Sequence, residues 1–138
     1  METERLILKV QVKKGSINWM FDRKFWDLID KESKAIIGHC GFHTWDKEDR
    51  QAEIGYRLEK KFRKKGLMLE AIQPIISFGF NEMELKKIEA YIKIKNLPSI
   101  KLITKIGFVP EEEAPDLSNK NYNQYFSLLK SDYLKSST

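Results

Sequence analysis

The stretch Arg63-Lys64-Lys65-Gly66 places three cations and a glycine immediately before an apolar run that begins Leu67-Met68. The start of a helix carries unpaired N–H groups and the positive end of the helix dipole. Cationic side chains, and a glycine that lets the backbone approach closely, make such a helix start suitable for an anion. The pattern predicts a pyrophosphate site, and the alternative is a solvated basic turn.

A second polar pair precedes another apolar run. Asn96 is a favourable N-cap for a helix over Leu97–Ile106, and Ser99 occupies the position whose N–H such a cap binds. Capping alone explains both residues, and it is compatible with a role in ligand binding. For Glu70, in the first turn of the earlier helix, attraction to the helix dipole is the favoured explanation.

The two histidines, His39 and His43, lie on one predicted strand without metal-ligand spacing or an accompanying nucleophile. This pattern favours packing or surface roles for both. Cys40, the single cysteine, is interpreted as a small buried hydrophobe. No disulfide within the chain is therefore expected, and the absence of a signal-like or membrane-length apolar segment favours a cytoplasmic setting without a membrane partner.

Composition places these residues in one folded domain, 1–138. Hydrophobic residues make up 41% of the chain and charged residues 33%, with both signs interspersed, which argues against disorder. The net charge is +5 and its excess is mainly lysine. Because readers of nucleic acids favour arginine, this balance weakens a nucleic-acid partner and remains compatible with an anionic ligand.

The elements that must position these side chains follow from periodicity. Alternating or continuous apolar segments predict strands, and apolar steps of three and four predict helices. The predicted strands are Arg5–Val12, Phe25–Asp30, Ala35–Trp45, Ala52–Leu58, Lys87–Ile94, one beginning at Phe108-Val109 and ended by Pro110, and Tyr122–Leu134; the predicted helices are Leu67–Met83 and Leu97–Ile106.

This order indicates an α/β or α+β fold, with one mixed sheet and helices on both faces. Phe25–Asp30 and Ala35–Trp45 are expected to form a hairpin, in which Gly38 and Gly41 mark a bulge or close backbone contact. The segment Lys13–Lys24 is ambiguous between a turn and one short helix.

Three segments resemble the GNAT acetyltransferases: AEIGYRL at 52–58, RKKGLMLEA at 63–71, and KKIEAYIKIKNLPSIKLITKIGFVPE at 86–111. The opening ETERLIL is similar to the start of the RimJ/RimL subgroup, which acetylates the N-termini of ribosomal proteins. The resemblance implies a mostly antiparallel, twisted sheet whose strands splay at the cofactor cleft. It also implies acetyl-CoA as the cosubstrate and no metal.

The resemblance assigns roles residue by residue. The pyrophosphate of acetyl-CoA would bind the backbone of the loop Arg63–Met68, which comprises Arg63, Lys64, Lys65, Gly66, Leu67 and Met68. Its pantetheine arm would pair with the strand at Tyr56, Arg57 and Leu58. Asn96 would contact that arm, and Ser99 would lie near the departing thiolate. Glu53 would serve as the general base, usually through water, with an ordinary outward strand glutamate as the alternative.

The chain departs from the family pattern at three places. Met68 stands where a small residue is usual, and Ile103 stands where many members carry a tyrosine as general acid. Only Val10–Lys24 fills the region in which two helices normally wall the acceptor side. The apolar surface left exposed by this shortening makes a homodimer an expectation.

The function that follows is an N-acetyltransferase that moves an acetyl group to a primary amine by direct attack in a ternary complex. The amine would belong to a protein N-terminus or to a small molecule. The alternative is a non-catalytic acyl-CoA-binding or regulatory module, favoured by Ile103 and the shortened wall. A nucleic-acid binder would rest on charge alone.

Overall fold

A computed structural model describes residues 1–12, 22–111 and 124–136 of the chain. The strands are β1 (Leu6–Val10), β2 (Asp22–Asp30), β3 (Ile36–Asp46), β4 (Gln51–Leu58), β5 (Lys87–Ile92), β6 (Val109–Glu111) and β7 (Gln124–Leu129). The helices are α1 (Leu67–Asn81), α2 (Leu97–Ile106) and α3 (Lys130–Ser136), with a 3₁₀ turn at Lys60–Phe62.

The strands form one sheet in the order β1-β2-β3-β4-β5-β7-β6. Every neighbouring pair is antiparallel except β4 and β5, which are parallel because α1 connects them. These two strands pair only from Gln51 to Glu53 and from Lys87 to Glu89, and their pairing ends there. The predicted mixed sheet, the β2–β3 hairpin and the splayed strands are confirmed.

The core lies on one face of the sheet, where the side chains of alternate strand residues are buried. The helix α1 packs there: the ring of Phe78 lies 5.1 Å from that of Trp26, edge to face. A Cβ added to Gly79 would lie 2.7 Å from the Phe42 ring, so the helix backbone directly contacts β3. Cys40 is fully buried on the same face, as predicted.

The other helices contact this face too. Ile103 of α2 is fully buried in the core, and Tyr133 of α3 lies 5.0 Å from Phe80 of α1. Helices were expected on both faces, and the helices formed by the described residues share one face. The opposite face presents Glu53, His43 and their neighbours. Most of the ambiguous segment Lys13–Lys24 lies outside the described residues, and its last three residues belong to β2.

Several strand boundaries differ from the predicted ones, and two of these differences have a clear structural cause. Pro110 does not end β6 but lies within it; β6 is the edge strand, where a missing N–H removes no ladder bond. The last strand ends at Leu129 rather than Leu134 and is followed by α3. Leu129 is paired with Lys87, the first residue of β5, so the sheet offers no further partner.

Close strand packing explains the glycines of β3. A Cβ on Gly38 would lie 2.2 Å from the carbonyl oxygen of Arg57, and one on Gly41 would lie 2.3 Å from that of Lys24. The predicted close backbone contact is confirmed. No helix formed by the described residues is both long and apolar enough to cross a membrane.

Candidate active site

A cavity of about 530 Å³ opens between the end of β4 and the starts of α1 and α2. It brings together all but one of the residues predicted to bind the cofactor: Tyr56, Arg57, Leu58, Arg63, Lys64, Gly66, Leu67, Met68, Asn96 and Ser99. The exception is Lys65, whose ammonium lies 5.8 Å from the ring centre of Phe62 while its carbonyl accepts a hydrogen bond from Arg5.

The start of α1 has the geometry of an anion site. Gly66 is the N-cap residue with a φ of 76°, a left-handed conformation that favours glycine. The N–H of Glu70 donates to the carbonyl of Gly66 at 3.1 Å, which leaves the earlier N–H groups of the helix without an intrahelical acceptor. These donors, with Arg63 and Lys64 at the cavity, fit a diphosphate.

Neighbouring contacts fix this loop. The Nε of Arg63 donates to the carbonyl of Leu58 at 2.8 Å and ties the loop to the end of β4. Glu70 binds the N-terminal segment: it accepts from Arg5 Nε at 2.8 Å and from the Thr3 hydroxyl at 2.5 Å. Glu70 thus has structural partners on the chain itself, and it does not line the cavity.

A pair of hydroxyl groups spans the cavity from β4 to α2. The phenol of Tyr56 is hydrogen-bonded to Ser99 Oγ. The N–H of Ser99 donates to Asn96 Oδ1 at 3.3 Å, so the predicted capping is present. Burial raises the pKa of the Tyr56 phenol, although its bond to Ser99 opposes that rise. The phenol therefore remains protonated at neutral pH.

The sequence analysis assigned only the backbone of Tyr56 to the site and overlooked its side chain. Tyr56 and Ser99 are far apart in the chain, and no local pattern signals their contact. Ile103, at the position where many family members carry a tyrosine, is fully buried in the core. The described phenol that meets Ser99 thus belongs to the strand rather than to the helix.

Glu53 lies on the sheet face opposite α1, at the last position where β4 pairs with β5. Its side chain is only 16% exposed, and its partner on β5 is a second carboxylate, Glu89. Burial, and then the charge of Glu89, raises the pKa of Glu53 to about 7. A carboxyl with this pKa can accept and release a proton near neutral pH. Glu89 was not among the predicted site residues.

His43 lies beside Glu53, which the packing interpretation of His43 did not anticipate. Its Nε2 is 3.5 Å from Glu53 Oε1, and the two residues are directly opposed on β3 and β4. The ring lies over Gly55, where an added Cβ would be 3.0 Å from His43 Cδ2. His39 packs edge to face on Phe25 at 5.7 Å, in agreement with its predicted packing role.

Comparison with known proteins finds sequence similarity to N-acetyltransferases. An uncharacterised N-acetyltransferase of Bacillus licheniformis is 38% identical over 112 residues, which cover 78% of this chain and 63% of that protein. The ribosomal protein uS5-alanine N-acetyltransferase of Escherichia coli is 30% identical over 93 residues, 67% of this chain and 48% of that protein. The chain thus spans less than two thirds of the length of either relative.

Among solved structures, mutant forms of the spermidine/spermine N-acetyltransferase of Vibrio cholerae superpose with a TM-score of 0.72. The match covers 84% of this chain and 69% of that one, at 22% identity, and so supports the fold alone. Residues 2–109 match the model of the GNAT acetyltransferase domain. On this match, which covers most of the chain, the protein belongs to the GNAT acetyltransferase family.

Proposed function

We propose that this protein transfers the acetyl group of acetyl-CoA to a primary amine by direct attack in a ternary complex. The observation that carries the proposal is the position of Glu53. This carboxyl, with a pKa of about 7, lies where β4 and β5 separate. It is three residues before Tyr56, the residue at which β4 enters the 530 Å³ cavity.

The cavity supplies the groups that would hold the cosubstrate. Acetyl-CoA brings the acetyl group as a thioester when it binds. The start of α1, with Arg63, Lys64 and Gly66, would take its pyrophosphate, and the unpaired edge of β4 beyond Glu53 would take the amides of its arm. The side chain of Met68 leaves its backbone donor in place, so its departure from the family pattern is compatible with binding.

Glu53 has the properties of the general base. An amine is largely protonated at neutral pH, and only its neutral form attacks a carbonyl. A carboxyl group with a pKa near 7 is half ionised there and accepts the proton efficiently.

The pair formed by Tyr56 and Ser99 has the properties of a proton donor for the departing thiolate. Ser99 was predicted near that sulfur, and the phenol of Tyr56 is hydrogen-bonded to it. Because the pKa of the phenol is raised by burial, Tyr56 keeps a proton that Ser99 can pass on. Ile103 has no donor, and this pair would replace the family's helix tyrosine.

The acceptor class in the relatives includes a ribosomal protein terminus and polyamines. We extend the proposal to a primary amine on a protein N-terminus or a small molecule, as in the RimJ/RimL subgroup.

We also propose that the protein is cytoplasmic and forms a homodimer. Support for the dimer comes from the exposed apolar side chains of the outer strands, such as Val10 and Val109, which are 41% and 55% exposed.

The second candidate is a non-catalytic acyl-CoA-binding module, which the buried Ile103 favours. Calorimetry with acetyl-CoA, followed by an acetylation assay on a broad amine panel, separates the two. Binding together with transfer supports the enzyme, whereas binding without transfer to any amine supports the module. Absence of binding at millimolar acetyl-CoA would contradict both.

A further inference from the structure

A second cavity of about 490 Å³ opens on the sheet face that carries Glu53, and the described residues that line it are Gln11, Arg23, Phe25, His39 and His43. We propose that this cavity holds the acceptor, that the acceptor is an amine carrying an acidic group, and that His43 takes the proton of the amine and passes it to the base Glu53. The inference rests on the proposed acetyl transfer and specifies its acceptor.

A continuous series of contacts links the cavity to the proposed base. The guanidinium carbon of Arg23 lies 4.9 Å from the ring centre of Phe25. The Phe25 ring stacks on His43, with centroids 6.2 Å apart and planes inclined by 14°. His43 in turn contacts Glu53 at 3.5 Å. An acceptor bound along Phe25 would therefore have Arg23 at one end and the pair of His43 and Glu53 at the other.

The charges in the cavity favour an acidic acceptor. None of its lining residues named above is a carboxylate, and Arg23 supplies a permanent positive charge. Within residues 1–12, 22–111 and 124–136, the guanidinium of Arg23 forms no ion pair and stacks only on Phe25. The nearby Asp27 carboxylate accepts from Gln11 Nε2 at 2.8 Å. A carboxylate on the acceptor would form an ion pair with the guanidinium of Arg23.

His43, rather than Glu53, faces the cavity. The side chain of His43 is 39% exposed and that of Glu53 only 16%, and Glu53 does not line the cavity. Gly55 makes this arrangement possible, since any Cβ there would press against the imidazole. Glu53 therefore lies behind His43 as seen from the bound amine.

The electrostatic surroundings suit a neutral imidazole. Burial, and then the charge of Arg23, lowers the pKa of His43, so its ring is uncharged at pH 7 and accepts a proton. The groups facing it are Glu53 at Nε2, the Thr44 hydroxyl 3.2 Å from Nδ1, and Arg23 across Phe25. Glu53 itself is faced by Glu89 on β5.

The proposed step balances. The amine nitrogen attacks the thioester carbonyl carbon, so a C–N bond forms and the C–S bond breaks. The sulfur leaves with the electron pair of that bond and takes a proton from Ser99, which Tyr56 replenishes; the Tyr56 phenolate then regains a proton from solvent. The amine replaces the Thr44 hydroxyl as the hydrogen-bond partner of His43 Nδ1; its proton passes to Nδ1, and the proton on Nε2 passes to Glu53. No oxidant or reductant is required.

Paired acceptors test the acidic group. The panel contains ω-amino acids, each with its neutral amide of equal length, and spermidine as a cationic amine. We expect the protein to favour the acids by about tenfold in kcat/KM, and Arg23→Gln to abolish that preference. The control variant Lys24→Gln removes a neighbouring charge of β2, which lies over Trp26 and Phe78 on the other face of the sheet. This variant should retain the preference for the acids.

A preference for the amides or for spermidine, or an acid preference that survives Arg23→Gln, would overturn the inference while leaving acetyl transfer intact. If acetyl-CoA binds and no amine is acetylated in this panel or in the broad amine panel, peptide N-termini included, the proposed function itself fails. The two failures are therefore distinguishable.

A binding measurement tests the position of His43 independently of turnover. Without acetyl-CoA, titration of an ω-amino acid should shift the NMR resonances of the His43 ring in the wild type and have little effect on them in Arg23→Gln. His43→Gln should lower kcat more than tenfold, with acetyl-CoA affinity unchanged, and thermal unfolding identifies loss of fold. A folded His43→Gln variant with full kcat, or His43 resonances unmoved by a turned-over acceptor, would show that His43 is not the proton acceptor.

Discussion

The proposed cofactor cleft and the proposed acceptor face, which is the sheet face that carries His43 and Glu53, lie on opposite sides of β4 and are built in different ways. The cleft uses runs of neighbouring residues, 56–58, 63–69 and 96–102. The acceptor face uses single residues that strand register brings together: His43 opposes Glu53, and Glu53 opposes Glu89. A site of the first kind is visible in a sequence, whereas one of the second kind depends on pairing that the sequence does not reveal.

The largest effect should come from disabling the acceptor face alone. Glu53→Gln removes the carboxylate base and preserves the shape of the side chain, so kcat should fall by about 10²–10⁴-fold. Calorimetry should show acetyl-CoA affinity unchanged, because Glu53 does not line the cleft. Glu59→Gln, just beyond β4, is the matched control and should keep full kcat. An unchanged kcat of Glu53→Gln at every pH would exclude Glu53 as the base.

The reverse experiment disables the cleft alone. Gly66→Val forces a β-branched residue into a left-handed conformation with φ of 76°, which costs about 1–3 kcal/mol and should distort the helix start. Acetyl-CoA affinity should weaken by about tenfold or more in calorimetry. Gly66→Asn, which tolerates this conformation better, should retain more of the affinity. Equal losses in both variants would show that the φ of Gly66 does not control binding.

The two variants probe one site whose arrangement the sequence predicted and one whose strand pairing it did not predict. Ten of the eleven residues predicted at the cofactor site line one cavity because their motifs are local: a basic loop before a helix, and a capped helix start. Lys65 does not line this cavity, because its ammonium lies over the Phe62 ring and its carbonyl accepts a hydrogen bond from Arg5. The helix α2 was predicted to the residue, since Asn96 and Gly107 cap both of its ends.

The features that the sequence analysis missed depend on long-range pairing. Tyr56 and Ser99 meet only because α2 returns over β4. Glu89 alternates with buried neighbours and has the pattern of any outward strand residue. The end of β7 was predicted too late because its apolar pattern continues into α3, where Tyr133 packs on Phe80 instead of pairing in the sheet.

A smaller effect should come from the cleft's own chemistry. Tyr56→Phe removes the hydroxyl that contacts Ser99 and keeps the ring in place. We expect kcat to fall by about tenfold, with acetyl-CoA affinity retained, because a proton donor is lost and packing is not. In the variant, kcat should also lose any decline at high pH that arises from ionisation of the phenol. Unaltered kcat in Tyr56→Phe would leave Ser99 or solvent as the donor.

The smallest effect tests whether the residue paired with Glu53 on β5 influences the pKa of Glu53. Glu89→Gln removes a negative charge from the strand position opposite Glu53. Since that charge is the second cause of the raised pKa of Glu53, after burial, the pKa should fall below about 7 and remain above its ordinary value of 4.5. A general base works when ionised, so the acid limb of kcat/KM should move to lower pH by about half to one unit.

The raised pKa of Glu53 also makes the free energy of unfolding depend on pH. A carboxyl whose pKa is raised on folding from 4.5 to about 7 holds its proton more tightly in the native protein. Its contribution to the free energy of unfolding is therefore complete below pH 4.5 and is lost as the pH rises through 7. Glu89→Gln lowers the native pKa, so chemical unfolding at pH 8 should show a gain, reduced by partial solvent access to about 1 kcal/mol or less, with a smaller change at pH 4. If the acid limb of kcat/KM moves and the free energy of unfolding at pH 8 does not rise, Glu89 acts on the bound substrate rather than on Glu53. That result would show that strand pairing on the acceptor face does not set the pKa of the base.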